Sequence, residues 1–87
     1  MSGCEITVIT RADCGLCTAA EAVVAAVAAS RPVAVATVDV DADPELRAKY
    51  DWDVPVVLVD GRQVGFHRID RARLERAVDS RLAARRA

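Results

Sequence analysis

The stretch Glu5-Ile-Thr-Val-Ile-Thr10-Arg11-Ala-Asp-Cys14-Gly-Leu-Cys17 runs from a β-branched segment straight into two cysteines separated by two residues. Polar and apolar side chains alternate from Glu5 to Val8 before Ile9-Thr10 closes the run, a pattern that predicts a strand. Beyond it, Leu16, Ala20, Val23 and Val27 recur at helical steps and predict an amphipathic helix packed on a sheet, stopped by Ser30-Arg31-Pro32. The β-branched run from Val33 to Val40, with Val35 and Val38 inside it, then predicts a buried strand. The crossover is long enough for this strand to lie parallel to the first, which makes a βαβ unit.

The remainder extends that unit. Asp43-Pro44-Glu45 has the form of a helix start, with Asp as cap and Pro at a site that needs no N–H donor, and predicts a short helix through about Tyr50. Val54-Pro55-Val-Val-Leu-Val59, then Asp60-Gly61, then Arg62 to Phe66 predicts two strands joined by a tight hairpin turn. Asp70 opens a last helix whose apolar stripe is Leu74, Ala77, Val78 and Leu82. The predicted order is βαβαββα.

Composition sets the limits on function. Eighty-seven residues predict a single domain spanning 1–87, and with 53% hydrophobic and 29% charged residues, at a mean hydropathy of +0.17, there is material for a core and charge to dissolve it. The longest uncharged apolar run, Ala22 to Ala29, is far short of the roughly 20 residues a membrane helix needs, so no membrane association is expected. The opening Met-Ser-Gly-Cys-Glu has no basic segment leading into an apolar core, so the expected location is the reducing cytoplasm. A formal net charge of −1 and three aromatic residues, Tyr50, Trp52 and Phe66, provide neither the cationic surface nor the stacking platforms of a nucleic-acid binder.

Cys14 and Cys17 fall between a strand end and the first turn of a helix, where unpaired N–H groups and the helix dipole favour a thiolate. Cys14 is the expected nucleophile, Arg11 adds nearby positive charge, and Cys17, one turn on, resolves the mixed disulfide that Cys14 forms. The competing readings are a metal site and inert structural thiols. Structural zinc wants four ligands, and the spare candidates are Cys4 and His67. Six strand residues put Cys4 about 20 Å from Cys14, so no metal site is expected. Elsewhere the plain readings come first: Trp52 as a partly buried packing residue, Asp53 as a solvated loop acid, His67 as a surface or packing histidine, and Cys4 as a spare thiol. Acids crowd Asp39 to Asp53, outnumbering Arg47 and Lys49, whereas arginines dominate beyond Asp70, Arg85 and Arg86 included. Such blocks are solvated faces that can orient a charged partner.

Arg11-Ala-Asp-Cys14-Gly-Leu-Cys17, together with Val54-Pro55 and Gly61, resembles a glutaredoxin of the thioredoxin fold over nearly the whole chain. The short glutaredoxin-like proteins of bacteria are the most similar, through Asp39-Val-Asp-Ala-Asp-Pro44-Glu and Val54-Pro-Val-Val-Leu-Val-Asp-Gly61. The resemblance implies an α/β domain with a four-stranded mixed sheet flanked by helices. It implies a thiol-disulfide oxidoreductase acting on protein disulfides or glutathione mixed disulfides, with glutathione or a thioredoxin reductase system as reductant, working as a monomer without a bound cofactor. It also implies a cis peptide before Pro55 facing the cysteines, the Val54 backbone pairing with substrate, and Arg11 and Asp70 in the places of a basic and an acidic substrate-binding residue.

Some positions depart from the family's pattern. Gly15 and Leu16 replace a Pro-aromatic pair, Asp53 replaces Thr, and Gly65-Phe-His-Arg-Ile-Asp70 lacks a Gly-Gly turn. Weakened glutathione binding and a protein partner are therefore expected. Two other classes stay open from sequence: a glutathione-dependent iron–sulfur carrier built on Cys14 of two subunits, and a binding module of this fold without turnover.

Overall fold

The computed structural model describes residues 4–86, with side chains through Ala84. The opening Met1-Ser2-Gly3 and the side chains of Arg85 and Arg86 lie outside the described residues. The elements are β1 (Glu5–Thr10), α1 (Gly15–Ala29), β2 (Ala34–Asp39), α2 (Pro44–Tyr50), β3 (Val56–Val59), β4 (Arg62–Phe66) and α3 (Arg71–Arg86), with a 3-10 turn at Val40–Ala42 before α2. This is the predicted order. No helix among the described residues is long and apolar enough to cross a membrane.

The sheet runs β2-β1-β3-β4. β1 pairs in parallel with β2 from Glu5↔Ala34 to Thr10↔Asp39 and antiparallel with β3 from Ile6↔Val59 to Ile9↔Val56. β4 closes the hairpin antiparallel to β3, with an irregularity between Val57 and Leu58. The sheet is thus mixed, as the resemblance implied.

Strand alternation sorts the core into two layers. Ile6, Val8, Val57 and Val59 point to one face and pack with Val24 and Val27 of α1 and Leu74, Val78 and Leu82 of α3. Ile9 and Val56 point to the other, against Val40 and Tyr50, with Leu46 of α2 beside them. The break in alternation at Val8-Ile9 has its cause here: β1 is central and covered on both faces at that end, so successive residues are both buried.

Turn and cap chemistry fixes the connections. Asp60 and Gly61 both have positive φ, +48° and +84°, the twist that a two-residue hairpin turn demands and that Asp-Gly supplies. Asp60 also accepts the Glu5 N–H through Oδ1 at 2.8 Å and the Arg81 Nε–H through Oδ2 at 3.0 Å, tying the hairpin to β1 and α3. Asp43 accepts the Glu45 N–H at 2.9 Å with Pro44 in the first turn of α2. Arg31, just past α1, donates to both carboxylate oxygens of Asp79 on α3, at 2.7 and 3.1 Å.

Two expectations are corrected. The buried stripe of α1 is Cys17, Ala20, Val24 and Val27; Leu16 is 39% exposed and Val23 only half-buried. Spacing counted from Leu16 favoured Val23 over its neighbour, but the turn of helix set by its cap puts Val24 on the sheet. β2 is likewise no buried strand. It is an edge strand paired on one side alone, with Val35 46% exposed, because the helices cover the centre of the sheet and Val40, the residue that is fully buried, lies past its end. Val24→Ala is therefore expected to cost about 2 kcal/mol, from two buried methyl groups and the cavity left behind. Leu16→Ala should stay within about 0.5 kcal/mol, as exposed sites usually do. Urea unfolding of the two variants measures the difference, and equal losses would return Leu16 to the core.

Candidate redox site at one end of the sheet

Strand register gathers the chemistry. β1 and β2 end together at Thr10 and Asp39, and β3 begins opposite Ile9. β4 ends opposite that same beginning, at Val56↔Phe66. The segments 11–14, 40–43, 51–55 and 67–70 therefore leave one end of the sheet. Every residue that the sequence marked for a site lies there or in the first turn of α1.

Cys14 is the cap of α1, with extended φ/ψ of −116° and 109°. Its Sγ accepts the Cys17 N–H at 3.1 Å, taking the place that an Asp or Ser oxygen usually fills. Asp13 before it has φ +55°, a left-handed conformation in which Asp is among the tolerated residues. Cys14 is partly exposed, whereas Cys17 faces the core at 3% exposure. Burial pushes the Cys17 thiol up to about 11, and its hydrogen bond with Cys14 adds to the rise, while a hydrogen bond with the Arg11 backbone opposes it. An open hollow of about 480 Å³ lies over the pair, lined by Arg11, Asp13, Cys14, Gly15, Cys17, Thr18 and Glu21.

The Arg11 side chain is held by acids. Nε donates to Asp41 at 3.0 Å, a second nitrogen pairs with the Asp51 carboxylate, and Nη1 reaches the Asp51 carbonyl at 3.2 Å. The same contact, with Arg47 adding to it, holds the Asp41 carboxyl below the usual carboxylate range. Arg11 thus joins the segment that carries the thiols to the one that carries Trp52.

The Val54–Pro55 peptide is cis, and Pro55 is fully buried. Trp52, expected as a packing residue, is 86% exposed. It sits in the turn after α2, where Tyr50 fills the core and the Asp53 N–H returns to the Tyr50 carbonyl, so the indole is carried outward.

His67 is the residue whose part the sequence did not disclose. Its N–H donates to the Pro55 carbonyl at 2.9 Å and its Nε2 bonds the Trp52 carbonyl at 2.9 Å. It therefore braces both ends of the segment 52–55. Its φ of +59° occupies a left-handed position that glycine usually takes, and histidine is several-fold enriched there. Asp70 caps α3, its Oδ1 accepting the N–H groups of Ala72 at 2.9 Å and Arg73 at 3.4 Å. Cys4 is buried in the layer under α1 and α3. No group of three or more His, Cys, Asp or Glu able to hold a metal occurs among the described residues.

Residues 5–79 match the family described as Glutaredoxin-like domain. This chain belongs to that family. The glutaredoxin-like domain is 33% identical to an uncharacterized protein of Mycobacterium tuberculosis, over 85% of this chain and 81% of the relative. Among solved structures it is similar to a structural-genomics target protein of X. campestris, at 32% identity and TM-score 0.71, covering 86% of this chain and 96% of that one. It is similar as well to a mutant thioredoxin of Halobacterium salinarum, at 28% identity and TM-score 0.71, covering 93% and 76%. The fold is thioredoxin-like, as the sequence resemblance implied.

The two thiols of this glutaredoxin-like domain differ in exposure, and burial makes Cys17 a weak acid, which an alkylation profile reads directly. Raising a thiol's pKa favours the protonated form, so Cys17 stays an unreactive thiol through neutral pH and ionises only as pH climbs toward about 11. Iodoacetamide at neutral pH is expected to label Cys14 and spare Cys17, with Cys17 labelling appearing only in strong alkali or in denaturant. Mass spectrometry of the cysteine peptides checks this, and equal labelling at neutral pH would refute it.

Proposed function

We propose that this protein is a small thiol-disulfide oxidoreductase in which Cys14 attacks and Cys17 resolves. The observation that carries the reading is the division of labour between the thiols: Cys14 Sγ is partly exposed and accepts a backbone N–H at the start of α1, whereas Cys17 is buried and protonated. Exposure lets the Cys14 sulfur reach a substrate disulfide, and burial holds the Cys17 sulfur back for the second step.

The steps balance without a cofactor. Cys14 thiolate attacks one sulfur of a substrate disulfide, a Cys14–substrate bond forms, and the other substrate sulfur leaves as thiolate and takes up a proton. Cys17 then gives up its proton and attacks Cys14, forming the Cys14–Cys17 disulfide and releasing the second substrate thiol. Two electrons pass from the dithiol to the substrate. Glutathione or a thioredoxin reductase system returns them, and the cytoplasm is the compartment in which such a reduced pair persists.

Substrate meets the site through the backbone of Val54, which precedes β3, and through Trp52, since Pro55 is buried. Arg11 is paired to Asp41 and Asp51, and Asp70 spends one oxygen on capping α3, so neither is disposed to hold the charged ends of glutathione strongly. Protein disulfides are accordingly the favoured substrates.

Cys14→Ser is expected to abolish disulfide reduction. Cys17→Ser should instead accumulate mixed disulfides on Cys14, because the attacking thiol works and the resolving one is gone. Peptide mapping locates the bond, and trapping through Cys4 in either variant would overturn the assignment. In a coupled assay with a protein disulfide, turnover under thioredoxin reductase or under glutathione and its reductase identifies the donor.

A further inference from the structure

Among the described residues, three of the four exposed large apolar side chains, Leu16, Trp52 and Phe66, lie at the dithiol end of the sheet, which marks that end as a surface made to be covered. Its charge says what covers it. The hollow over the thiols is lined by the carboxylates of Asp13 and Glu21, both exposed. Its one lining cation, Arg11, is paired to Asp41 and Asp51, and Arg47 is drawn to Asp41 at 3.5 Å. Trp52 stands between Asp51 and Asp53. Of the further cations toward this end, Lys49 lies over the Tyr50 ring and Arg71 pairs with Glu75 on α3, while Arg68 lines a neighbouring hollow with Leu16, Ala19 and Ile69. A ligand entering over Cys14 thus meets carboxylates, with exposed Trp52 on the adjoining loop that Arg11 holds through Asp51.

We propose that the substrates of the Cys14/Cys17 dithiol are disulfides carried on basic, lysine- or arginine-rich protein segments, selected by Asp13, Glu21 and Asp53 together with exposed Trp52; this rests on the oxidoreductase reading above. Carboxylates around the reacting sulfur raise the local concentration of a cationic segment and repel an anionic one. An exposed indole flanked by acids holds a guanidinium or ammonium over its ring, with the carboxylates completing the charge. The chemistry is the exchange already described, with the same two electrons and no further reactant. An acidic setting also disfavours glutathione, which carries two carboxylates.

The experiment uses the full reduced chain and three disulfides: a lysine-flanked peptide disulfide, the same peptide with glutamate in place of lysine, and uncharged bis(2-hydroxyethyl) disulfide. At low salt the lysine peptide is expected to be reduced about tenfold faster than the glutamate peptide. That ratio should collapse toward unity in 1 M salt, where the Debye length shrinks to about 3 Å. Asp13→Asn with Glu21→Gln should lower the ratio about threefold, a comparison made within one variant and so independent of its absolute rate; Asn tolerates the left-handed φ of Asp13. Trp52 is the single tryptophan, and its emission should respond to a lysine peptide with Ser in place of Cys and not to the glutamate one. Equal rates for the two peptides, or a faster glutamate peptide, while the uncharged disulfide is still reduced, overturn the substrate class and leave the oxidoreductase reading standing. Reduction of none of the three overturns both.

Discussion

Helix α1 begins on a sulfur atom. By accepting the Cys17 N–H, Cys14 does the work of a cap and in doing so fixes the rotation of everything that follows in the helix. Three residues on, Cys17 is turned to the core, and Ala20, Val24 and Val27 fall in line behind it against β1 and β3. One bond thus sets both the packing face of the helix and the contrast between an accessible thiol and a buried one. Two residues between the cysteines are what a single turn requires for this arrangement.

Sheet order supplies the rest. A parallel β1/β2 pair and an antiparallel β1/β3 pair bring the loops after β1 and β2 and the loop before β3 to the same edge of the molecule. Side chains far apart in sequence, Arg11 with Asp41 and Asp51, His67 with Trp52, become neighbours there. The core itself is built mostly from valine, with Ile6, Ile9 and Leu74 as its largest fully buried members, which suits short strands and closely set helices.

Most of the fold was legible because its signals are local. Asp43-Pro44, Asp60-Gly61 and Asp70 announce caps and a turn by chemistry that acts over three or four residues, and each does that job in the structure. What escaped the sequence depended on neighbours brought in from elsewhere. In an alanine- and valine-rich helix, several stripes look alike, and only the cap decides between Leu16 and Cys17 as the inward residue. β2 looked buried because valine content reports affinity for a sheet, not a place in its middle. Trp52 looked like packing because size favours burial, yet Tyr50 had already filled the space under the turn. Arg11 was read as a charge beside the thiols; its pairing with acids thirty and forty residues away has no local signature. The same holds for His67, whose left-handed backbone and two bonds to the segment 52–55 are visible only once β4 lies against β3.

The contacts of Arg11 are partly exposed, and such pairs contribute little to global stability. Their consequence is one of timing. Arg11 leaves β1, Asp41 leaves β2 and Asp51 leaves α2, so a single guanidinium staples the ends of three elements, and His67 fastens the loop beyond them. The freedom of these loops is surrendered while the chain folds, before any partner arrives. A ligand that docks there finds a cleft whose ordering entropy has already been met, and association draws less on its own binding energy to arrange the receptor.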